Sequence, residues 1–432
     1  MVPQNSNWHK MCCCDLPNEE DQPAFYETFA RAFMMTIPMW REFVREARDT
    51  RAFPKRDVLS WGRGGRMVRS SLDLMVLGAL RVLTKGWSFE AVAEATFIGK
   101  ETHRVFFREF TKYGSSHLYP THVKIPRLPT EFANANHEFE MGGFPGCVHD
   151  SDGCIFPWPG AAMGNQNLCR SYKNDEPAVN CLLSWDHRHK VLNYTLGVGS
   201  MIDEVLQPRD DFLMGACDGS LGGGECFYLV CKQGNGTLLR QKYIGVYGLH
   251  DNGFLKWGTA AGVPYKHTLT MGQKRFSEMV ESMRKGSECG NRDLKSRFLL
   301  FKQGFRQRSF AEVEDTVRTA LSLHNWRKDV DGFFEPWPTQ KRLGCRLTDD
   351  ESVPERMGML SEPVVGTPAT NQQRDFVLSL PLSPAPPIHV NQAGFHSFRN
   401  ALCVHWNILW DRRLIFWPTR LGPLRLTGNN NN

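Results

Sequence analysis

Four short motifs carry acids in an order that could build a metal-dependent phosphodiester-cutting site. They are Gly143-Phe144-Pro145-Gly146-Cys147-Val148-His149-Asp150-Ser151-Asp152, Gly199-Ser200-Met201-Ile202-Asp203, His250-Asp251-Asn252-Gly253-Phe254 and Arg292-Asp293-Leu294-Lys295-Ser296-Arg297-Phe298. Cutting a phosphodiester needs an activated water or 3′-hydroxyl, a stabilised leaving oxygen and neutralised charge at phosphorus. Two Mg²⁺ ions about 3.5–4 Å apart supply all three. Hard cations take carboxylate oxygens, and acids at adjacent strand ends can gather them from distant points of a chain. Asp152 falls in a predicted strand and Asp251 ends a later one. Taken singly, each acid suits a turn or a cap as well. Asp251-Asn252-Gly253 is a plain turn signal, and Asp203 is either a supporting ligand or the N-cap of a following helix.

The elements that must position these acids can be read from periodicity. Short runs rich in Val, Ile, Leu, Tyr and Phe predict strands over 147–156, 179–185, 191–198 and 243–249. Helices are predicted over 273–285 and 292–305, followed by one opened by a Ser309-x-x-Glu312 capping box. Strands followed by helices in this order suit a mixed α/β layer with helices covering the sheet. Ahead of it, Phe25, Phe29 and Phe33 and the run Leu72 to Leu83 repeat at helical period, so residues 23–130 read as helical. Ser88 can cap a short helix over 91–95, and the next helix carries Lys100, Arg104 and Arg108 on one face. That stripe is either a helix-turn-helix surface for phosphates or the solvated face of a bundle.

The remaining segments read as a polar leader over 1–22, a nuclease-like unit over 141–335, a Pro-rich linker over 336–390, and a C-terminal helix and tail over 391–432. Trp406, Trp410 and Trp417 in the last segment would dock on the main body or stack on bases.

Composition sets outer limits. Lys and Arg number 52 against 46 acids, a formal +6 that permits a polyanionic partner without arguing for one. No run reaches the roughly 18–20 apolar residues of a membrane span, and no secretory leader is evident, so the expectation is a soluble intracellular chain. Thirteen cysteines show no zinc-ligand spacing, which fits reduced, buried thiols. There is no phosphate-loop or dinucleotide fingerprint, so nucleotide hydrolysis and hydride transfer lack support.

Together the motifs resemble those of the PIF/Harbinger-type transposases and the nucleases derived from them, within the DDE superfamily. The resemblance covers about residues 25–335. It implies an α/β fold with an RNase H-like mixed sheet flanked by helices and an N-terminal helix-turn-helix-like region. It also implies Asp152 rather than Asp150 as the first metal-binding acid, Asp251 as the second, and Asp203 in support, so that all three are the expected catalytic and metal-binding residues. Leu323-His324-Asn325-Trp326 is similar to the family's closing segment. Lys295 stands where the family has its last catalytic Glu, Ile155 where the first block has His, and Ile202 where a polar residue precedes Asp203. An ammonium in place of a ligating carboxylate opposes metal occupancy. The expected function is an endonuclease or transposase that uses Mg²⁺ or Mn²⁺ on DNA, or else a non-catalytic DNA-binding or scaffold descendant of one. The resemblance further implies a separate Myb-like DNA-binding partner and nuclear residence, and is compatible with a homo-oligomer.

Overall fold

In the computed structural model, which describes residues 5–13, 22–54, 60–61, 67–68, 71–161, 166–171, 173, 176–267, 270–330 and 368–415, Asp152 lies on a four-stranded mixed sheet and Asp251 just beyond the end of one of its strands. In chain order the helical part comprises α1 (Asn7–Cys13), α2 (Pro23–Phe33) and α3 (Ile37–Asp49), a hairpin of β1 (Ser60–Trp61) and β2 (Met67–Val68), then α4 (Leu72–Lys85), α5 (Phe89–Thr96), α6 (Lys100–Tyr113), α7 (Tyr119–His122) and α8 (Pro129–Met141). The sheet-bearing part comprises β3 (Cys147–Pro157), β4 (Ala178–Trp185), β5 (Val191–Val198), α9 (Asp203–Leu206), α10 (Asp211–Asp218), β6 (Cys226–Lys232), β7 (Leu238–Ile244) and β8 (Tyr247–Leu249). It closes with α11 (Met271–Arg297), α12 (Leu300–Gln303) and α13 (Phe310–Val330).

The main sheet runs β5-β4-β3-β8. β4 runs antiparallel to both of its neighbours, β3 and β5, whereas β8 lies parallel to β3 with Asp150 opposite Leu249. Every residue of β4 is buried, as expected for a central strand covered on both faces. A second sheet has the order β6-β7-β9, where β9 is Ile388–His389.

Several sequence expectations are met closely, and several are corrected. Strands β3, β4 and β5 appear within a residue or two of their predicted limits. The run 243–249 is not one strand, because it ends β7 in one sheet and forms β8 in the other. The two helices predicted over 273–285 and 292–305 are one continuous helix, α11, followed by the short α12. The leader is not featureless. Residues 7–13 form α1, and Trp8 stacks on Trp87 at 6.1 Å and meets Phe33 edge-on. Within the predicted linker, residues 336–367 lie outside the described residues, but Pro368–Ser379 is helical and Ile388–His389 pairs with β7.

The helical region is not walled off from the sheet. One apolar core joins Phe43, Leu77, Phe106 and Phe110 of the helices to Phe156, Cys181 and Trp185 of the sheet and to Phe301 and Val317 behind it. A second core seats the C-terminal helix Phe395–Asp411 against α11 and β6. Trp406 is buried there and its Nε1 donates to Gly142 O at 3.1 Å, while Trp410 stacks on it, so both dock on the main body. Trp417 lies outside the described residues.

Ser88 caps α5 as its position suggests, its hydroxyl accepting from Ala91 N at 3.2 Å. Ser88→Ala should cost about 1 kcal/mol in urea unfolding. An unchanged midpoint would show that tertiary packing alone holds α5.

Candidate functional site

Asp152 projects from β3, and its Oδ2 accepts from Asn291 Nδ2 of α11 at 3.0 Å. Asp251 lies two residues beyond the end of β8. Because Asp150 and Leu249 are register partners on parallel strands, Asp152 and Asp251 occupy neighbouring positions where the two strands separate. Asp251 also fills the turn role open to it, with Oδ1 accepting from Gly253 N at 2.7 Å. Its Oδ2 stands 4.0 Å from the guanidinium of Arg284, a nearly buried residue on α11.

Asp203 is near this pair but does not converge with it. It is the first residue of α9 and not its cap, since Ile202 holds the N-cap position and no side chain caps the helix. Its Oδ1 accepts from Asn180 Nδ2 at 3.1 Å, and its carboxylate lies over Gly153 so closely that a Cβ there would collide with Oδ1. Successive residues of a strand point to opposite faces, so the Gly153 side carries Asp203 and the α11 side carries Asp152. Among the described residues no three His, Cys, Asp or Glu side chains come together closely enough to hold a metal ion.

Electrostatics mark the acids as a strained group. The Asp152 carboxyl is pushed up to about 6, chiefly by burial; Arg284 opposes this, while Asp203 and Asp251 add to it. Burial also raises Asp203, tempered by the Asn180 hydrogen bond. Asp150 is fully buried, accepts from Ser287 N at 2.6 Å and is raised well above the ordinary carboxylate range by desolvation. It acts as a strand-to-helix tie between β3 and α11.

Lys295 does not face Asp152. Its ammonium lies 5.5 Å from the Phe156 ring centroid and beside the Cys154 thiol, further along β3. The α11 side chain that meets Asp152 is Asn291, one helical turn earlier. Arg284 and Asn291 were missed by sequence reasoning. The one available signal was a polar set, Arg284, Ser287 and Asn291, recurring at three- and four-residue steps along α11.

The basic stripe on α6 exists, but each member has an acid partner. Lys100 pairs with Glu90 at 3.3 Å, Arg104 with Glu101 at 2.7 Å and Arg108 with Glu312 at 3.0 Å. All three side chains are about half exposed. The closing motif is structural. Asn325 accepts from Val191 N and donates to His122 O and Val191 O, and the His324 ring bonds His189 O, tying α13 to the start of β5.

The donor set therefore fits a hard cation in a limited way. Mg²⁺ is commonly held by one or two carboxylates with waters and substrate phosphate filling the other positions. Asp152 and Asp251 can provide such a pair. Among the described residues a second cation finds no further converging acids, and Arg284 puts a positive charge beside the first. No protein-family model, curated protein or solved structure matches this chain.

Proposed function

We propose that the chain is a DDE-type transposase or transposase-derived endonuclease of PIF/Harbinger kind, with an RNase H-like sheet, acting on DNA phosphodiesters through one divalent cation held by Asp152 and Asp251. The observation that carries this reading is the parallel pairing of β3 with β8, which leaves Asp152 on β3 beside Asp251, two residues past the end of β8. When bound, Mg²⁺ or Mn²⁺ would polarise the phosphoryl oxygen and raise the acidity of an attacking water. Asp152 and Asp251 would orient the cation, Arg284 would offset charge on the phosphate, and Asp203 would stiffen β3 from its other face through Asn180. The same resemblance leads us to expect a Myb-like DNA-binding partner and nuclear residence.

A second reading, a DNA-binding or scaffold descendant without chemistry, draws on a different observation. Helix α11 brings an arginine and an asparagine to the acid pair, where a third carboxylate would be required. Isothermal titration of Mn²⁺ into the chain at pH 7.5 tests the first reading. A single saturable site is expected, and the absence of any binding heat would sink it in favour of the second.

A further inference from the structure

We infer that the cavity between α5, α6 and the segment leading into α13 is a phosphate-binding site for a polynucleotide strand. The cavity holds about 380 Å³ and is bordered by four arginines, Arg104 and Arg108 of α6 with Arg306 and Arg308 of the incoming segment, against two acids, Glu90 and Glu312. Both acids are already engaged, Glu90 by Lys100 and Glu312 by Arg108. Arg306 and Arg308 are exposed and have no acid partner among the described residues. Two unpaired guanidinium forks over a concave surface match the oxygens of phosphate groups.

The presentation is rigid. Phe305 N donates to Pro157 O at 2.9 Å, Gly160 N donates to Phe305 O at 3.0 Å, and Trp158 Nε1 donates to Gln307 O at 2.7 Å. The arginine segment is thereby fastened to the end of β3, the strand that carries Asp152. Five residues separate Asp152 from Pro157, roughly 17 Å at about 3.3 Å per strand residue. That is about five nucleotide steps of a B-form strand. A strand lying at the acid pair could therefore place later phosphates at Arg306 and Arg308.

The aromatic lining favours backbone over bases. Trp87 is engaged by Trp8 and by the Arg81 guanidinium 4.3 Å from its ring, and Phe89 packs on Phe107. These rings are held by their neighbours and are not splayed out to stack on bases. The site is thus expected to bind without sequence preference.

The inference rests on the reading of the chain as a DNA-binding protein, and the test separates the two. Fluorescence anisotropy with a fluorescein-labelled duplex would be measured from about 50 to 200 mM salt. The proteins are the full natural chain, the Arg306→Ala/Arg308→Ala double variant and an Arg275→Ala control, each checked for unchanged thermal unfolding. The double variant should bind at least about tenfold more weakly and lose about two from the slope of log K against log salt, while the control matches the natural chain. Inorganic pyrophosphate should not displace the duplex at equimolar concentration. If a folded double variant keeps the natural affinity and slope, or if pyrophosphate competes as an equal, this site is overturned alone. If the natural chain binds no duplex, the functional reading falls with it.

Discussion

An Asp152→Asn variant is expected to be more stable than the natural chain at pH 7 while losing its divalent-cation site. Burial, aided by Asp203 and Asp251, lifts the Asp152 carboxyl from 3.8 to about 6 in the folded protein. Between those values the folded chain holds a proton that the unfolded chain has released. Stability contributed by the protonated form is therefore complete below pH 4 and is lost as pH rises through 6. The separation corresponds to about 1–3 kcal/mol once partial contact with solvent is allowed for. Asparagine keeps the shape and the link to Asn291 while removing the charge, so the two proteins should match at pH 4 and diverge towards pH 7. Urea unfolding in EDTA at several pH values reads this directly, and parallel profiles would mean that the charge on Asp152 is not penalised in the fold. In the same variant Mn²⁺ affinity should fall by at least about 100-fold, since one of only two ligating carboxylates is gone. Opposite signs for stability and binding are the expected mark of a residue kept for chemistry rather than packing.

How far the sequence revealed this arrangement depended on whether local pattern or distant contact decided each element. The alternation and β-branched content of residues 147–157 and 191–198 made their strands plain, and turn chemistry pointed to Asp251 at a strand end. Helix α11 was harder. Its interior Gly286-Ser287 and Gly290-Asn291 read locally as a break between two helices. Packing supplies the reason for the glycine at 290, where a Cβ would press to 2.8 Å against the Trp185 ring of β4. Tertiary contact thus overrides weak helix propensity. The divided run 243–249 failed for the opposite reason. Its one local marker is Gly245, which takes a φ of 116° between Ile244 and Tyr247 where the chain changes sheet, and a lone glycine in a β-prone run was too weak a signal to divide it. Strand β6, Cys226–Lys232, was passed over despite the apolar run from Cys226 to Cys231, and its partner β7 pairs with it along its whole length. Motif order could nominate the acids, but it could not say that Asp203 lies on the Gly153 side of β3, away from Asn291, because that depends on the pairing of distant strands.

The third-acid question has the same character, and it leads to the largest expected effect. The resemblance would assign a third carboxylate to the position of Lys295, whereas the contacts of α11 place Asn291 opposite Asp152. The two differ by four residues, one turn of helix and about 6 Å along its axis. A carboxylate at Lys295 would point towards Cys154 and Phe156, well past Asp152. A carboxylate at Asn291 would stand beside Asp152 and close a three-acid set with Asp251. Asn291→Glu should therefore raise Mn²⁺-dependent cleavage of labelled duplex by about 10–100-fold over the natural chain. Lys295→Glu, which exchanges a positive for a negative charge out of reach of Asp152, should change cleavage by a few-fold at most. Adding Asp152→Asn to Asn291→Glu should return the rate to baseline, which ties the gain to the metal site rather than to altered DNA binding. The reverse ranking, with Lys295→Glu active and Asn291→Glu silent, would show that α11 shifts by a turn when DNA and metal are bound. Equal silence in both would favour a descendant in which Arg284, 4.0 Å from Asp251, has taken over the charge that a cation once supplied.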